Sequence, residues 1–505
     1  MAVRLKSLDI VVNAKSFTDF DIKTDLIVMF IAEDLKMDKN ESMLNDSFDK
    51  NISLALKNES FSAEPGKTIL LHTYGKIKAD KVLITGLGDV KKIDCETLRK
   101  ASSEAYKAIN KKSTRNITIL LPENDKLLKR FTVFDLTKSI CEGFMLSSYE
   151  ISLKTNTDKL DSMKIEIATG SRKNLQTIKE AIHYAQISSE GVFVARDLST
   201  LPPNIATPEY LAKSAISIAG ESKLKVTILG REQIEELKMG AFLSVARASA
   251  REPQFIIMEH LPENSENLKT VVLIGKGITF DTGGYSMKPA ASMIGMKYDM
   301  AGGAAVIGVM RAISNLKIPV NVIGIVPACE NMINGEGYLP EDVVTASNGM
   351  TIEINSTDAE GRMLLADAMI YAKKYNPDAV IDIATLTGLC AQAFAGVASG
   401  LFANDDILKN RLLNAARITD ERLWHLPMYD EFGECLKSEI ADTKNSGKGG
   451  IGSATMFLKK FADFQAWAHI DMAGLASDDR RSYNKKGIGS GYGVRLLLEL
   501  VRQYT

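Results

Sequence analysis

Across residues 201–505 short apolar runs of strand length alternate with stretches of helical spacing, and that alternation constrains the fold more than any other feature. The runs are Lys225–Leu229, Gln254–His260, Thr270–Gly275, Val320–Pro327, Ala379–Thr385 and Trp467–Asp471. Runs with little polar alternation suit strands covered on both faces. The pattern therefore predicts an α/β fold with a mixed, mostly parallel sheet covered by helices. The helix Gly302–Leu316 opens with Gly302, Gly303, Ala304 and Ala305, small residues that permit close backbone packing. Val343–Ile354, turned at Asn348 and Gly349, reads as a hairpin with a type I′ turn, because that dipeptide tolerates positive φ. A last helix is expected over about Tyr492–Arg502.

The first third also mixes strands and helices. Lys81–Gly86 and Asn116–Leu121 read as strands, while Leu98, Ala101, Ala105 and Ile109 recur at helical spacing. Nothing there gathers metal-binding or nucleophilic groups, and a lone His72 reads as structural. Met163–Gly170 looks like the last strand of this part, and Asn174–Leu198 like a long helix that Pro202 and Pro203 stop. The expected division is thus a smaller N-terminal α/β domain over 1–170 for assembly or regulation. A linking helix over 171–200 and a larger C-terminal domain over 201–505 follow, with the boundary between Gly170 and Asn174.

A chain of 505 residues with 45% hydrophobic and 25% charged residues fits two sizeable cores. Its net charge of −1 supplies no basic field for nucleic acid or anionic membrane, which makes nucleic acid a poor candidate partner without ruling out a local patch. No 18-residue apolar run suggests a membrane span, and Met1–Ile10 has no apolar signal core. Cys95, Cys141, Cys329, Cys390 and Cys435 are spread out with no C-x-x-C pair, as expected of thiols in a reducing, cytoplasmic setting.

Chemistry concentrates in two segments. Gly275–Asp299 carries Lys276, Asp281, Lys288 and Asp299 among glycines just after a predicted strand; Ser356–Arg362 carries Asp358, Glu360 and Arg362. In open α/β sheets, sites collect at the carboxyl ends of strands. Asp358 and Glu360 are two apart, in what is expected to be an extended segment, so both carboxylates face the same way. Arg362 would then open a helix over Met363–Lys374, leaving the acids at its positive end. Four converging carboxylates repel one another unless cations intervene, and a pair of divalent metals is a known hydrolytic device. Only five histidines exist and none lies in either segment, so H-E-x-x-H zinc chemistry is absent. An oxygen-rich site favours Mg, Mn or Zn. Lys276 could ligate only as the neutral amine. Any one of these acids alone would read as a helix cap or loop residue, and Lys288 or Arg362 alone as a solvated charge; the combination points to a metal hydrolase without naming its substrate. Gly275-Lys276-Gly277 lacks the rest of a P-loop.

These motifs resemble those of the leucine aminopeptidase family (cytosolic or PepA-like aminopeptidases, peptidase family M17). The likeness covers the whole C-terminal part: Ala195–Leu198 with Pro202–Asn204, Gly275–Gly284, Met296–Met300, Glu330–Met332, Thr357–Arg362, Thr385–Gly388 and Trp467–Gly474. The most specific signature is Thr357-Asp358-Ala359-Glu360-Gly361-Arg362. The resemblance implies a metallo-aminopeptidase that releases N-terminal Leu and other apolar residues. Asp281 and Glu360 would bridge two divalent metals (Mn, Zn or Mg), Asp358 would complete one site, and Lys276 and Asp299 the other. Lys288 would polarise the scissile carbonyl and Arg362 would hold a bicarbonate acting as general base. Thr385, Leu386 and Gly388 would contact the peptide backbone, with Asp299 near its free amine. Met296 and Ala476 would line the pocket for the first side chain. The family also implies a homohexamer, a dimer of trimers.

Ser356 and Met363 stand where the family signature has Asn and Leu, so Ser356 bears on pocket contacts; Tyr285 and Met287 replace aliphatic residues ahead of Lys288. None is an expected ligand. His469 reads as a structural histidine. The alternatives are another dinuclear hydrolase, such as a phosphoesterase, or the accessory DNA-binding role of some relatives.

Overall fold

The computed structural model describes residues 5–7, 10–17, 21–34, 36–109, 111, 113–154 and 162–505. The chain forms two compact units, one reaching to Ser189 and including Arg480–Asn484, the other made of Glu190–Asp479 and Lys485–Thr505. The division falls inside the helix Leu175–Thr200.

The amino-terminal unit is built on a six-stranded sheet in the order Ile10–Ser16, Met163–Thr169, Asn116–Leu120, Thr24–Ala32, Ala79–Gly88 and Thr68–His72. Every pairing is parallel except the last, which is antiparallel. Ile27, Met29, Ile31, Val82 and Ile84 are inaccessible or nearly so and pack against Leu44, Phe48 and Ile52. Helices here start on side-chain caps: Asp94 accepts from the Thr97 amide and Thr132 from the Asp135 amide, each satisfying an amide the helix cannot.

The second unit carries a nine-stranded sheet. Its main path runs Leu423–His425, Ser399–Ala403, Trp467–Asp471, Ala379–Ala384, Thr270–Gly275, Asn321–Asn331, Gln254–His260 and Lys225–Leu229, and Gly277–Asp281 pairs with Asn321–Asn331 off that path. The four central strands, Trp467–Asp471 to Asn321–Asn331, are mutually parallel, and the strands flanking them on the main path pair antiparallel. Central strand residues are inaccessible on both faces, as their unbroken apolar runs require. The helix Ala301–Leu316 lies against this layer at contact distance. A Cβ on Gly302 would come within 2.1 Å of the Ile383 carbonyl oxygen, so only glycine fits there.

Two local expectations fail. The hairpin of Val343–Thr345 and Thr351–Glu353 forms, but not around a type I′ turn. Asn348 is not at positive φ; Gly349 alone is, at 88°, and the Gly349 amide donates to Ala346 O at 2.9 Å. This is the longer loop in which a turn is followed by a left-handed glycine. Likewise Asp358 and Glu360 are not in an extended segment. Asp358 lies in a turn and Glu360 is the first residue of the helix Glu360–Ala372, so Arg362 falls within its first turn rather than opening it.

Candidate active site

The carboxyl ends of the parallel strands bring the site together. Lys276 follows Thr270–Gly275, Asp281 ends Gly277–Asp281, Thr385 follows Ala379–Ala384, and Ala473 lies just past Trp467–Asp471. These residues line a cavity of about 530 Å³. Its wall includes Lys276, Asp281, Lys288, Asp299, Asp358 and Glu360, with Met296, Thr385, Leu386, Gly388 and Ala476. Two sequence-derived candidates, Ser356 and Arg362, are not in that wall. Ser356 Oγ accepts from the Asp358 amide at 3.2 Å, one step behind the acids. Arg362 is buried, and its Nη1 donates to Asn445 O at 2.8 Å.

The acids meet around two lysines. Lys276 Nζ lies 2.9 Å from Asp299 Oδ1 and 2.8 Å from Glu360 Oε1, and donates to Thr385 O at 3.0 Å. Lys288 Nζ lies 2.9 Å from Asp281 Oδ2 and 2.5 Å from Asp358 Oδ1. One carboxylate oxygen each from Asp281, Asp358 and Glu360 lie within 4.8 Å of one another. Room for this comes from Gly361: a Cβ there would sit 2.6 Å from Lys276 Cε and 2.7 Å from its Nζ.

Charge does not balance. Four carboxylates against two ammonium groups leave a formal excess of two negative charges in a largely buried site. Burial, with Glu360 nearby, pushes Asp281 up to about 6 despite Lys288. Burial pushes Asp299 up to about 8 against the pull of Lys276, and also raises Asp358. Burial opposes ionisation of Glu360 too, but Lys276 and Lys288 hold it below the usual range. Burial alone would lower both lysines, yet the surrounding carboxylates keep them well above the ordinary lysine value. Asp299 Oδ2 is buried with no hydrogen-bond partner among the described residues. Excess negative charge, clustered oxygens and an orphaned carboxylate oxygen suit hard divalent cations. Lys276 would first have to give up one of the three protons with which it now meets three oxygens.

Arg362 presents the opposite imbalance. No carboxylate pairs with it among the described residues, its Nε has no partner, and burial pulls its pKa down to about 10. A buried cation with a spare donor suits a small anion.

Several polar residues outside the expected set of site residues hold the frame. Asn331 Nδ2 donates to Asp281 Oδ1 at 2.8 Å and to Thr357 O at 3.0 Å, linking the two acid-bearing segments. Asp471 Oδ1 accepts from the Leu386 and Ala473 amides at 3.1 and 3.2 Å, and its Oδ2 from Thr387 Oγ1 at 2.7 Å. It thereby ties together two stretches of cavity wall. Both lie in segments that carry the family likeness, Glu330–Met332 and Trp467–Gly474, and at a strand's carboxyl end, but no local pattern assigns them this role. His469 lies away from the wall, its Nδ1 2.5 Å from Asp382 Oδ1 and its ring stacked on Phe402.

The model of the cytosol aminopeptidase family catalytic domain matches residues 193–498, and that of the family's N-terminal domain matches 27–155. A probable cytosol aminopeptidase of Methylobacillus flagellatus is 38% identical over 495 residues, covering 97% of this chain and 99% of that protein. One from Geobacter sp. strain M21 is 41% identical over 448 residues, covering 88% and 90%. Among solved structures, a mutant of tomato leucine aminopeptidase superposes with a TM-score of 0.88 at 33% identity, covering 99% of each chain. The bottromycin maturation enzyme BotP in complex with Mn does so at 0.83 and 27% identity, covering 95% of this chain and 99% of that one.

Proposed function

The chain belongs to the cytosol aminopeptidase family and is a metal-dependent aminopeptidase, and on that premise we propose that it releases leucine and other apolar residues from peptide N-termini with two bound divalent metals and a bicarbonate. The observation that carries this reading is the unbalanced cluster of Asp281, Asp299, Asp358 and Glu360 around only two lysines. Asp281 and Glu360 would be shared by both metals, Asp358 would complete one site, and Lys276 and Asp299 the other. Mn, Zn or Mg suits such oxygen-rich donors. When bound, the metals supply Lewis acidity to the hydrolysis.

The chain's own residues do the rest. Lys288, fixed by Asp281 and Asp358, holds positive charge beside the carbonyl oxygen that becomes an oxyanion, charge that appears only in the transition state. Asp299 faces the cavity where a free α-amine would be received, which restricts cleavage to the first residue. Arg362 would hold a bicarbonate, which when bound would supply a general base. Thr385, Leu386 and Gly388 contact the peptide backbone, and Met296 with Ala476 bounds the first side chain, a surface suited to Leu or Met. Ser356 acts from behind the wall, through Asp358. We further propose a homohexamer working in the cytoplasm; no helix among the described residues is long and apolar enough to cross a membrane.

The test is release of product from a leucine anilide with Mn present, after chelation, and with the α-amine acetylated. Chelation is expected to abolish turnover and acetylation to block it. Equal rates under all three conditions would rule the reading out.

A further inference from the structure

Asn445 lies 83 residues beyond Arg362 in sequence, carries no motif, and is wholly inaccessible. It follows the short strand Thr443–Lys444, which pairs in parallel with Thr351–Glu353, so its backbone continues a ladder alongside the approach to the acids. All of its polar groups are engaged. Its amide donates to Glu353 O at 2.9 Å. Its side-chain Oδ1 accepts from the amides of Asn355 at 2.8 Å and Ser356 at 3.2 Å, while Nδ2 donates to Ser356 O at 2.7 Å. Its main-chain carbonyl accepts from Arg362 Nη1 at 2.8 Å, the one hydrogen bond that this guanidinium makes among the described residues.

A carboxamide is required for this set. It offers an acceptor for two amides and a donor for one carbonyl, as a peptide group would; a carboxylate accepts only, and a hydroxyl is too short to span both. The consequence reaches the acids through a short relay. Ser356 Oγ accepts from the Asp358 amide, and Thr357 is fixed by Gly283 O, Ser286 and Asn331. Fixing Ser356 therefore fixes the turn that delivers Asp358 and Glu360. The same residue aims Arg362 through its carbonyl. Two segments that must act together are registered by one side chain and its own peptide group.

We propose that Asn445 is a positioning residue of the active site, setting the guanidinium of Arg362 through its carbonyl and the lead-in to Asp358 through its carboxamide. The inference rests on the reading of Arg362 given above. The test uses the full-length enzyme and a leucine anilide. It measures kcat, KM, bound metal and thermal midpoint for Asn445→Ala, Arg362→Ala and the double variant. Asn445→Ala is expected to lower kcat by about 10–100-fold, the range for outer-shell partners of a site, with KM within about threefold. The double variant should fall short of the product of the two single losses, because part of what Asn445→Ala disturbs is the aim of Arg362, bonded to a main-chain carbonyl that the carboxamide keeps in place. An unchanged kcat in Asn445→Ala, or losses that multiply in the double variant, overturns the proposal, whatever the thermal midpoint does. Should the alanine variant fail to fold, Asn445→Asp carries the test. It keeps both accepted bonds but sets a buried carboxylate oxygen against Ser356 O where Nδ2 donated, so a fall in kcat at least as large is expected and none overturns the proposal. An Arg362→Ala enzyme with full turnover sinks instead the reading of Arg362, and this inference with it.

Discussion

In the amino-terminal unit Arg99 lies 2.6 Å from Glu142 and 3.4 Å from Glu96, and Arg481 stands 3.0 Å from Glu96. Tyr483 adds its hydroxyl at 3.1 Å from both Glu96 oxygens. In these contacts two carboxylates meet two guanidinium groups, and although burial would lower Arg99, Glu142 and Glu96 hold it far above its usual value. The catalytic unit buries Lys276, Asp281, Asp299 and Glu360 comparably, with Lys288 and Asp358 more open, but leaves two carboxylates in excess and one oxygen without a partner among the described residues. Burial of charge is common to both regions and marks neither as a site. What separates them is balance: carboxylates matched by guanidinium groups call for no added ion, whereas an unbalanced set favours added cations, or protons in their absence.

The comparison can be broken at four points. The largest effect is expected for Glu360→Gln, which removes charge from the unbalanced set. Bound metal should fall, and turnover should drop by about 10³-fold or more, beyond the loss typical of outer-shell partners. Full metal content with full turnover would mean that the excess charge is incidental. Next is Arg99→Ala, which removes the buried guanidinium shared by Glu142 and Glu96. A loss of about 3–5 kcal/mol in denaturant stability is expected, with bound metal unchanged. If metal is lost as well, the two regions are not separate in function.

Gly361→Ala should lower turnover by about 10–100-fold, because the new methyl overlaps Lys276 and shifts the lysine by a fraction of an ångström. Activity within twofold of the unaltered enzyme would show that Lys276 needs no such placement. The smallest effect concerns Asp367, a buried acid with no counter-charge among the described residues, which accepts from the Phe242 and Ser347 amides at 2.9 and 2.8 Å. Burial raises it from 3.8 to about 6 against those amides. A folded-state value above the unfolded one stabilises most at pH below about 3.8 and is lost as pH rises through about 6. Relative to Asp367→Asn, the native enzyme should therefore lose on the order of 1–2 kcal/mol between pH 4 and pH 7. Parallel urea midpoints across that range would remove Asp367 as the intermediate case.

Much of the fold was legible because its signals are local. Strands Thr270–Gly275, Gln254–His260, Lys225–Leu229 and Trp467–Asp471 have the bounds that their apolar runs suggest. A strand buried on both faces must be apolar throughout, whatever its neighbours. Legibility failed where a tertiary contact sets the backbone. Asp358 and Glu360 converge, but through a turn into a helix and not by strand alternation, since Thr357 is pinned by Gly283, Asn331 and Tyr338. Asn348 avoids positive φ because the loop before Met350 is longer than a two-residue turn.

The sequence alone determined that this is an α/β chain whose acids, lysines and arginine lie at the ends of particular strands and helices, and that the family's signature is present. Hydrophobic periodicity and residue type need only neighbours along the chain to be read. Tertiary structure alone decided which charges are left unpaired, that Arg362 sits behind the cavity wall, and that Asn331, Asp471 and Asn445 hold the frame. Those outcomes depend largely on partners distant in sequence, such as Asn331 and Thr357, 26 apart, and Asn445 and Asn355, 90 apart, and no local pattern encodes a distance that only folding makes short.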